Sequence, residues 1–224
     1  KMVKSKEYNY NNDISQISGI QFSVFSPEEI EKRSVAEIVT QEGYESDNPK
    51  IGGLFDPRMG VLENGKLCPT DKLDNKLCPG YFGHINLAVP VFYIHFFNFI
   101  KKIIKCFCWK CSRILINFKE DTEILNQILL RKNINRFNFV CSKIQSTKSK
   151  ICPCCNTINP TSIKKDSTSI ARFLAEWKIG DESKTMIWNA EFVLNILKKI
   201  IDSDIKILGM NPVFCRPEWL ICTK

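Results

Sequence analysis

The hydrophobic pattern of this chain predicts helices and short strands joined by long loops. A first helix should begin after Ser26, because Pro27 suits the first helical position and Glu29 completes a capping box with Ser26. The apolar stripe of this helix continues to about Thr40. Residues 41–86 are rich in Gly, Pro, Asp and Asn, so this segment is predicted to be irregular.

Two longer apolar stripes predict buried helices further along the chain. One covers residues 90–105, and its buried face should consist of Phe92, Phe96, Phe99 and Ile103. The other covers residues 189–201, and its buried face should consist of Phe192, Val193, Ile196, Leu197 and Ile200. A short turn from Ser203 should follow and stop at Gly209, since glycine is common just after a helix end.

Between these two stripes the hydrophobic pattern predicts shorter elements. Short strands are expected around 114–118 and 137–141, on either side of a helix from 121 to 131. The sequence therefore predicts an α+β fold with helices, short strands and long loops, and with a small cysteine-rich subdomain at 106–165.

Composition restricts the class of protein. The chain has 224 residues, of which 44% are hydrophobic and 25% charged, as is typical of a folded globular protein. Its most apolar stretch, 87–104, is interrupted by polar residues and is too short to span a bilayer. Residues 1–13 lack the apolar core of a signal peptide, and the initial Lys1 suggests an excised fragment. We therefore expect an intracellular protein with no membrane partner.

The positive charge of the chain is concentrated in one stretch. The formal net charge is +8, and residues 124–165 contain no Asp or Glu. The basic residues of this stretch are Arg131, Lys132, Arg136, Lys143, Lys148, Lys150, Lys164 and Lys165. Such a cationic region attracts phosphate backbones, which makes nucleic acid an expected partner. A solvated loop and helix face is the alternative interpretation of the same residues.

Eleven cysteines in a chain without a secretory signal favour metal binding over disulfides. Cys108 and Cys111 form one C-x-x-C pair, and Cys152 and Cys155 form another. Two such pairs supply the four thiolates of a tetrahedral zinc site, and a closed site of this kind is structural because it leaves no position for a substrate.

Three further cysteines lie close to these pairs in the sequence. Cys141 and Cys154 are alternatives for one of the four ligands, whereas Cys106 is expected to pack in the preceding helix. The sequence alone leaves this choice open.

A second, weaker candidate site lies upstream. Cys68 and Cys78 are good zinc ligands, and Asp71 and His84 offer an oxygen and a nitrogen. An isolated histidine is more often a hydrogen-bonded residue of the core than a ligand, so the sequence supports this site less strongly than the other.

Known catalytic motifs are missing from the sequence. It contains no GxxxxGK(S/T) phosphate loop, no GxSxG nucleophile motif and no HExxH zinc motif. Carboxylates are scattered, and the only histidines are His84 and His95. A metal-dependent nuclease or hydrolase would need an open metal position and an acid–base partner, and neither is apparent. We expect no catalytic residue in this chain alone.

Four sequence blocks together resemble one family, the N-terminal part of the largest subunit of multisubunit DNA-dependent RNA polymerases. The blocks are IQFSVFSPEEI at 20–30, KIGGLFDPRMG at 50–60, CPGYFGHI at 78–85 and LGMNPVFCRPEWL at 208–220. The last three are similar to the family patterns K-I-G-G-L-x-D-P-R-x-G, C-P-G-H-F-G-H-I and L-G-x-x-P-x-F-x-R-P-E-W-M. They occur in the expected order and cover nearly the whole chain.

The resemblance implies that the chain is part of the clamp, the mobile wall that closes over downstream DNA and the RNA–DNA hybrid. Two zinc sites stiffen the clamp in the family. The second of them corresponds to the four cysteines of the two C-x-x-C pairs, because CNTINP at 155–160 resembles the family's C-x-x-x-Q-P. The first departs from the family pattern C-x-x-C-x6-C-x-x-H, since Asp71 occupies the second position and Tyr81 the fourth. That site is therefore either lost or rebuilt with other donors.

The resemblance also divides the chain and assigns its partners. It implies a zinc-stapled clamp with an N-terminal segment at 1–105, a basic zinc-binding subdomain at 106–165 and a helical C-terminal segment at 166–224 that ends in the RPEW motif. Polymerase activity belongs to the complete assembly, whose magnesium-binding aspartates lie downstream of this segment. The expected partners are DNA, RNA, the remainder of the largest subunit and the second-largest subunit, in the nucleus, or in the cytoplasm or virion if the protein is viral.

The candidates for nucleic-acid contacts are Arg58, Lys143, Lys148, Lys150, Lys164 and Lys165. Arg58 could equally tie its own loop, and Arg216 of the RPEW motif is expected to be a structural anchor. A free-standing zinc-ribbon adaptor that binds nucleic acid is the alternative to a clamp segment.

Overall fold

The computed structural model describes residues 17–20, 22–118, 122–147, 150–167, 172–179 and 182–224. In this part of the chain the helices are α1 (Pro27–Arg33), α2 (Phe97–Ile104), α3 (Thr122–Leu129), α4 (Asn133–Ser146), α5 (Ala190–Lys198) and α6 (Asp202–Ile207). The strands are β1 (Ala36–Glu37), β2 (Tyr44–Glu45), β3 (Asn48–Pro49), β4 (Gly83–His84), β5 (Val91–Phe92), β6 (Ser162–Lys165), β7 (Phe173–Ile179), β8 (Glu182–Trp188) and β9 (Ile221–Cys222). This mixture confirms the predicted α+β class. None of the helices described is long and apolar enough to cross a membrane.

Helix α1 begins as predicted and ends earlier. The Ser26 hydroxyl accepts the Glu29 N–H at 3.1 Å, and the Glu29 carboxylate accepts the Ser26 N–H at 2.9 Å, which completes the capping box. The helix stops at Arg33 because the following residues pair with a distant strand. The Val35 N–H donates to the Phe82 carbonyl at 2.9 Å, and β1 then runs parallel to β4. The prediction that the helix continues to Thr40 was wrong.

The segment 41–86 is mostly irregular, as predicted, but it has internal order. Strands β2 and β3 form a small hairpin whose turn residues, Ser46 and Asp47, have φ angles of 48° and 65°. Asp56 fixes the next turn, because its buried carboxylate accepts the N–H groups of Gly52 at 2.6 Å and Arg58 at 2.9 Å.

The predicted aromatic helix is shorter than expected and buries a different face. Residues 91–92 form β5, which pairs with β9, and a 3₁₀ turn at 94–96 leads into α2. The buried residues of α2 are Phe97, Ile100, Ile103 and Ile104. Of the expected face only Ile103 is fully buried, whereas Phe92, Phe96 and Phe99 pack at the margin of the core.

The strand predicted at 137–141 is wrong, because these residues lie inside α4. The buried residues of α4 are Phe137, Val140, Cys141 and Ile144, a spacing that places them on one helical face. Around 114–118 the structure has only an isolated bridge between Phe107 and Ile114. Helix α3 lies within the predicted helix.

A three-stranded antiparallel sheet, β6-β7-β8, follows the cysteine-rich segment. The sequence analysis did not predict β7 or β8, and it expected a helical segment from residue 166 onward. Along β7 alternate residues are buried, namely Phe173, Ala175 and Trp177, whereas β8 is exposed up to Trp188. Helices α2, α4 and α5 share one hydrophobic core with the buried face of β7.

The last two helices agree with the predictions. Asn189 caps α5 by accepting the Phe192 N–H at 2.9 Å, and the buried stripe includes Val193, Ile196 and Leu197. Helix α6 ends before Gly209, whose φ of 83° is a left-handed conformation that favours glycine.

Candidate metal centre

The first C-x-x-C pair lies on a tight turn, which we call a knuckle. The Cys108 N–H donates to the carbonyl of Arg113 at 2.9 Å, and the Ser112 N–H donates to the carbonyl of Cys108 at 2.9 Å. Ser112 takes a left-handed φ of 55° to close the turn. The bridge between Phe107 and Ile114 closes its base.

The second C-x-x-C pair lies on a knuckle of the same design. The Cys152 N–H donates to the carbonyl of Thr157 at 2.9 Å, and the Asn156 N–H donates to the carbonyl of Cys152 at 3.0 Å. Asn156 has a φ of 53°, and the bridge between Ile151 and Ile158 closes the base. Each knuckle therefore presents two sulfur atoms in the same direction.

The structure brings the four cysteines of the two knuckles together. Their sulfur atoms all lie within 4.8 Å of one another. The Cys108 and Cys155 sulfurs are 3.6 Å apart, and so are the sulfurs of Cys111 and Cys152. A zinc ion with Zn–S bonds of about 2.3 Å in a tetrahedron requires S–S distances of about 3.8 Å. The donor set and its spacing therefore fit a structural zinc ion.

The polar surroundings of the cluster suit thiolates. The Thr157 hydroxyl is 3.2 Å from Cys155 Sγ and lowers the pKa of that thiol to about 6. Burial raises the pKa of Cys111, so this thiol would lose its proton to solvent most readily when a bound metal ion compensates the charge of the thiolate. The backbone N–H of Cys154 donates to Cys152 Sγ at 3.4 Å.

The two alternative ligands lie elsewhere among the described residues. Cys141 is buried with its sulfur 3.4 Å from that of Cys106, and Cys154 is exposed. Neither belongs to the four-sulfur group. Cys106 also donates to the Lys102 carbonyl at 3.2 Å, so it packs against α2 as predicted.

Three residues that are not cysteines hold the knuckles in place. The side chain of Asn159 accepts the Trp109 N–H at 3.2 Å and donates to the Lys150 carbonyl at 3.2 Å. The indoles of Trp109 and Trp177 both donate to the Ile158 carbonyl. Sequence reasoning assigned no role to Asn159 or Trp177, although Asn159 occupies the Gln position of the C-x-x-x-Q-P pattern and Trp109 lies inside a C-x-x-C pair.

The weaker candidate site is assembled in part. Cys68 Sγ, a carboxylate oxygen of Asp71 and Cys78 Sγ lie within 4.8 Å of one another. His84 does not join them, because it lies in β4 with its Nδ1 atom 2.8 Å from the Ser34 hydroxyl. This geometry corrects the inclusion of His84 among the ligands. The Tyr81 hydroxyl instead donates to Asp71 at 3.1 Å.

The candidate nucleic-acid residues differ in how far they are engaged within the chain. The Arg58 guanidinium binds Asp56 through two hydrogen bonds, of 2.9 and 2.6 Å, which ties its own loop. Lys164 pairs with Glu176 at 3.0 Å. Lys148 lies outside the described residues.

The remaining candidate lysines carry no ion pair to an acidic side chain among the contacts described. Lys143 on α4 is half-buried, with its Nζ 5.4 Å from the Phe139 ring centroid. Lys165 on β6 is exposed, with its Nζ 5.8 Å from the Phe97 ring centroid. Lys150 precedes the second knuckle and is half-buried.

Arg216 of the RPEW motif is an anchor, as expected. Its guanidinium binds Asp202 at 2.6 Å and Glu218 at 2.5 Å. It therefore ties the C-terminal segment to the start of α6.

The sequence profile described as RNA polymerase Rpb1, domain 1, matches residues 14–224. The chain belongs to this family. This match confirms the resemblance that rested on the four sequence blocks. The chain corresponds to the N-terminal region of the largest RNA polymerase subunit.

Named relatives agree with the Rpb1 domain 1 assignment. The chain is 39% identical over 93% of its length to DNA-directed RNA polymerase subunit Rpo1N of Methanocaldococcus jannaschii. It is 34% identical over 95% of its length to DNA-directed RNA polymerase II subunit RPB1 of Euplotoides octocarinatus. It spans 15% of the first relative and 46% of the second, so it corresponds to one part of a longer subunit.

Proposed function

We propose that this chain forms the clamp segment of the largest subunit of a DNA-directed RNA polymerase and helps to hold DNA and the RNA–DNA hybrid during transcription. The observation that carries the proposal is the Rpb1 domain 1 match over residues 14–224. The nucleotidyl transfer itself belongs to the complete assembly, with its Mg²⁺ bound outside this segment.

The distribution of exposed apolar side chains supports a part of a larger assembly. Large apolar residues are exposed throughout the segment 51–94, and they are Ile51, Leu54, Phe55, Leu62, Leu67, Leu73, Leu77, Phe82, Ile85, Leu87, Val89, Val91 and Ile94. Extended apolar surfaces of this kind usually mark contacts with other protein. We assign this surface to contacts with the remainder of the largest subunit or with the second-largest subunit. A free-standing adaptor would leave it in water.

The metal proposed for the two knuckles is a structural Zn²⁺ held by Cys108, Cys111, Cys152 and Cys155. A closed four-thiolate shell has no position for water or substrate, so the ion would stabilise the fold without taking part in chemistry. By joining the two knuckles, the ion would close the stretch of chain that contains α3 and α4.

The proposed nucleic-acid contacts are made by the basic side chains that have no ion pair to an acidic side chain among the contacts described. Lys143, Lys150 and Lys165 are the first candidates on this criterion, and Lys148 is retained from the sequence. Arg58 and Lys164 are weaker candidates because they already pair with Asp56 and Glu176. Binding through such lysines would be insensitive to sequence and would weaken with salt.

The assembly is tested by tagging the chain in its native source, purifying it under mild conditions and identifying the bound chains by mass spectrometry. The proposal expects the second-largest subunit and the remainder of the largest subunit. Recovery of a lone chain of 25.8 kDa would favour the adaptor. The proposal also implies an intracellular location, in the nucleus or in the cytoplasm or virion. Fractionation of the source cells before the purification checks this location.

The nucleic-acid role is tested with Lys143→Ala/Lys150→Ala in the purified assembly. The double variant should bind DNA less tightly at every sequence and reduce the slope of log affinity against log salt by about 2. The matched control is Lys198→Ala/Lys199→Ala, which removes two exposed lysines at the end of α5, outside the basic stretch. Equal affinities and slopes for the two variants would favour the alternative interpretation, in which the basic stretch is a solvated surface without a role in binding.

A further inference from the structure

The turn that carries Cys68 has the same backbone design as the two knuckles. The Cys68 N–H donates to the carbonyl of Leu73 at 2.8 Å, and the Lys72 N–H donates to the carbonyl of Cys68 at 2.8 Å. Lys72 has a φ of 62°, in the left-handed region like the matching residue of each knuckle. The chain therefore builds a third knuckle in which Asp71 takes the position of the second cysteine.

Both carboxylate oxygens of Asp71 are already hydrogen-bonded. Its Oδ1 accepts the Leu73 N–H at 2.9 Å, and its Oδ2 accepts the Tyr81 O–H at 3.1 Å. Tyr81 occupies the position at which the family pattern has a histidine ligand. The two positions that depart from the four-ligand pattern are thus the two whose side chains bond to each other.

The buried sulfur of this third knuckle faces acceptors. Cys68 Sγ lies 3.6 Å from the Pro57 carbonyl oxygen and 3.9 Å from that of Arg58, so a thiol at this position has backbone acceptors within reach.

We propose that the loop from Cys68 to Tyr81 is closed by a metal-free hydrogen-bond network centred on the Asp71 carboxylate. The donor set does not fit a closed four-ligand zinc site, because only two sulfurs and one oxygen gather among the described residues and the Tyr81 hydroxyl donates to the Asp71 carboxylate. The loop keeps the fold of a metal site, and the bond between Tyr81 and Asp71 replaces the two ligands that are missing. The chain then carries one structural zinc where the family pattern has two.

Zinc content tests this proposal directly. Inductively coupled plasma mass spectrometry should find one zinc fewer per chain in Cys108→Ser than in the unmodified chain, each purified in its assembly. Cys68→Ser and Cys78→Ser should leave the zinc content unchanged. Loss of one zinc in either of these two variants would overturn the proposal.

A gain-of-metal variant tests whether the two replacements explain the difference. Asp71→Cys/Tyr81→His restores four ligands on the same backbone and should raise the zinc content by one ion per chain. Lys76→Cys/Phe82→His is the matched control, since it adds the same residue types at exposed positions beside the cluster and should bind no additional zinc. If the first variant gains no zinc, or if both variants gain the same amount, Asp71 and Tyr81 are not the reason why this loop binds no metal.

The hydrogen bond itself is tested with Tyr81→Phe, which removes only the hydroxyl. Amide hydrogen exchange at Leu73 should accelerate on the order of fivefold, because one ordinary hydrogen bond then no longer restrains Asp71. The zinc content should not change, and a zinc chelator should leave exchange in this loop unaltered. An exchange rate equal to that of the unmodified chain would exclude Tyr81 from the closure.

Discussion

Trp109 and Trp177 donate their indole N–H groups to one acceptor, the carbonyl oxygen of Ile158, at 3.1 and 3.2 Å. Their ring centroids are 6.1 Å apart and the rings meet edge to face. Trp109 lies inside the first knuckle and Trp177 lies in β7, whereas Ile158 closes the base of the second knuckle. This shared acceptor therefore joins the cysteine cluster to the sheet.

We predict that Trp177→Phe weakens this junction. The variant keeps an aromatic ring and loses one of the two hydrogen bonds, so the free energy of unfolding should fall by about 1 kcal/mol beyond the loss of ring volume. Capture of zinc by a chelator should also become faster, because the second knuckle is less firmly held.

Trp188→Phe is the control for this prediction. It removes the same atoms from a buried indole of the same sheet, but the Trp188 Nε1 has no hydrogen-bond partner among the described residues. Chelator capture should therefore stay at its original rate. Equal acceleration in both variants would show that ring volume, and not the shared carbonyl, controls access to the metal.

We predict that Cys155→Ser unfolds the region between the knuckles. Structural zinc contributes roughly 10 kcal/mol or more of apparent folding free energy in small zinc modules, and a three-thiolate remainder binds it far less tightly. Zinc content and amide exchange across α4 measure the effect. Cys154→Ser is the neighbouring control, and it should retain both zinc and protection because its exposed thiol lies outside the cluster.

The predictions that succeeded came from signals confined to one element. Asn189 caps α5 by the hydrogen bond that its residue type favours, and Gly209 ends α6 with a left-handed φ. The two C-x-x-C pairs are equally local, since each knuckle closes through its own backbone. These features could be predicted because no distant residue changes them.

The failures came from contacts that are distant in sequence. Helix α1 stops at Arg33 because Val35 bonds to Phe82, which no local pattern reveals. Within 137–141, bulky aromatic and β-branched residues suggested a strand, and the helical face becomes visible only when Ile144 is included. His84 was offered as a ligand by its residue type alone, but Ser34, fifty positions away, lies in hydrogen-bond distance of its ring.

We predict that Asp56→Asn removes a pH-dependent part of the stability. The Arg58 guanidinium and the N–H groups of Gly52 and Arg58 lower the pKa of Asp56 to about 2, from an ordinary value of 3.8. A lowered pKa gives stability that is present above about pH 4 and is lost as the pH falls towards 2. The contribution of the buried carboxylate is about 2 kcal/mol.

The measurement is the free energy of unfolding between pH 2 and pH 6 for the assembly that contains the chain. Asp56→Asn should flatten the acid limb of this curve and lower stability at neutral pH. Asp47→Asn changes an exposed carboxylate in the nearby hairpin turn and should keep the original shape. An unaltered acid limb in Asp56→Asn would assign the pH dependence to other groups.

We predict that Gly209→Ala is more damaging than Gly65→Ala. Both glycines have left-handed φ angles, 83° and 80°, so both alanines incur a conformational cost of about 1 kcal/mol. A Cβ at 209 would also lie 2.9 Å from the Asn133 carbonyl oxygen, whereas a Cβ at 65 meets nothing within 4 Å. Thermal unfolding should therefore separate the two, and equal melting temperatures would show that α4 moves aside at no cost.

The separation of the two knuckles along the chain has a consequence for the order of events in folding. Each knuckle needs only its own few residues, but the sulfur pairs that meet across the cluster are 41 and 47 positions apart. One knuckle can therefore hold an ion by two thiolates before α3 and α4 are formed, and the ion then shortens the search by which the second knuckle arrives. We expect stopped-flow refolding to be faster when zinc is present from the start than when it is added late. A rate independent of the time of addition would mean that the polypeptide brings the four cysteines together first and that the metal ion binds only afterwards.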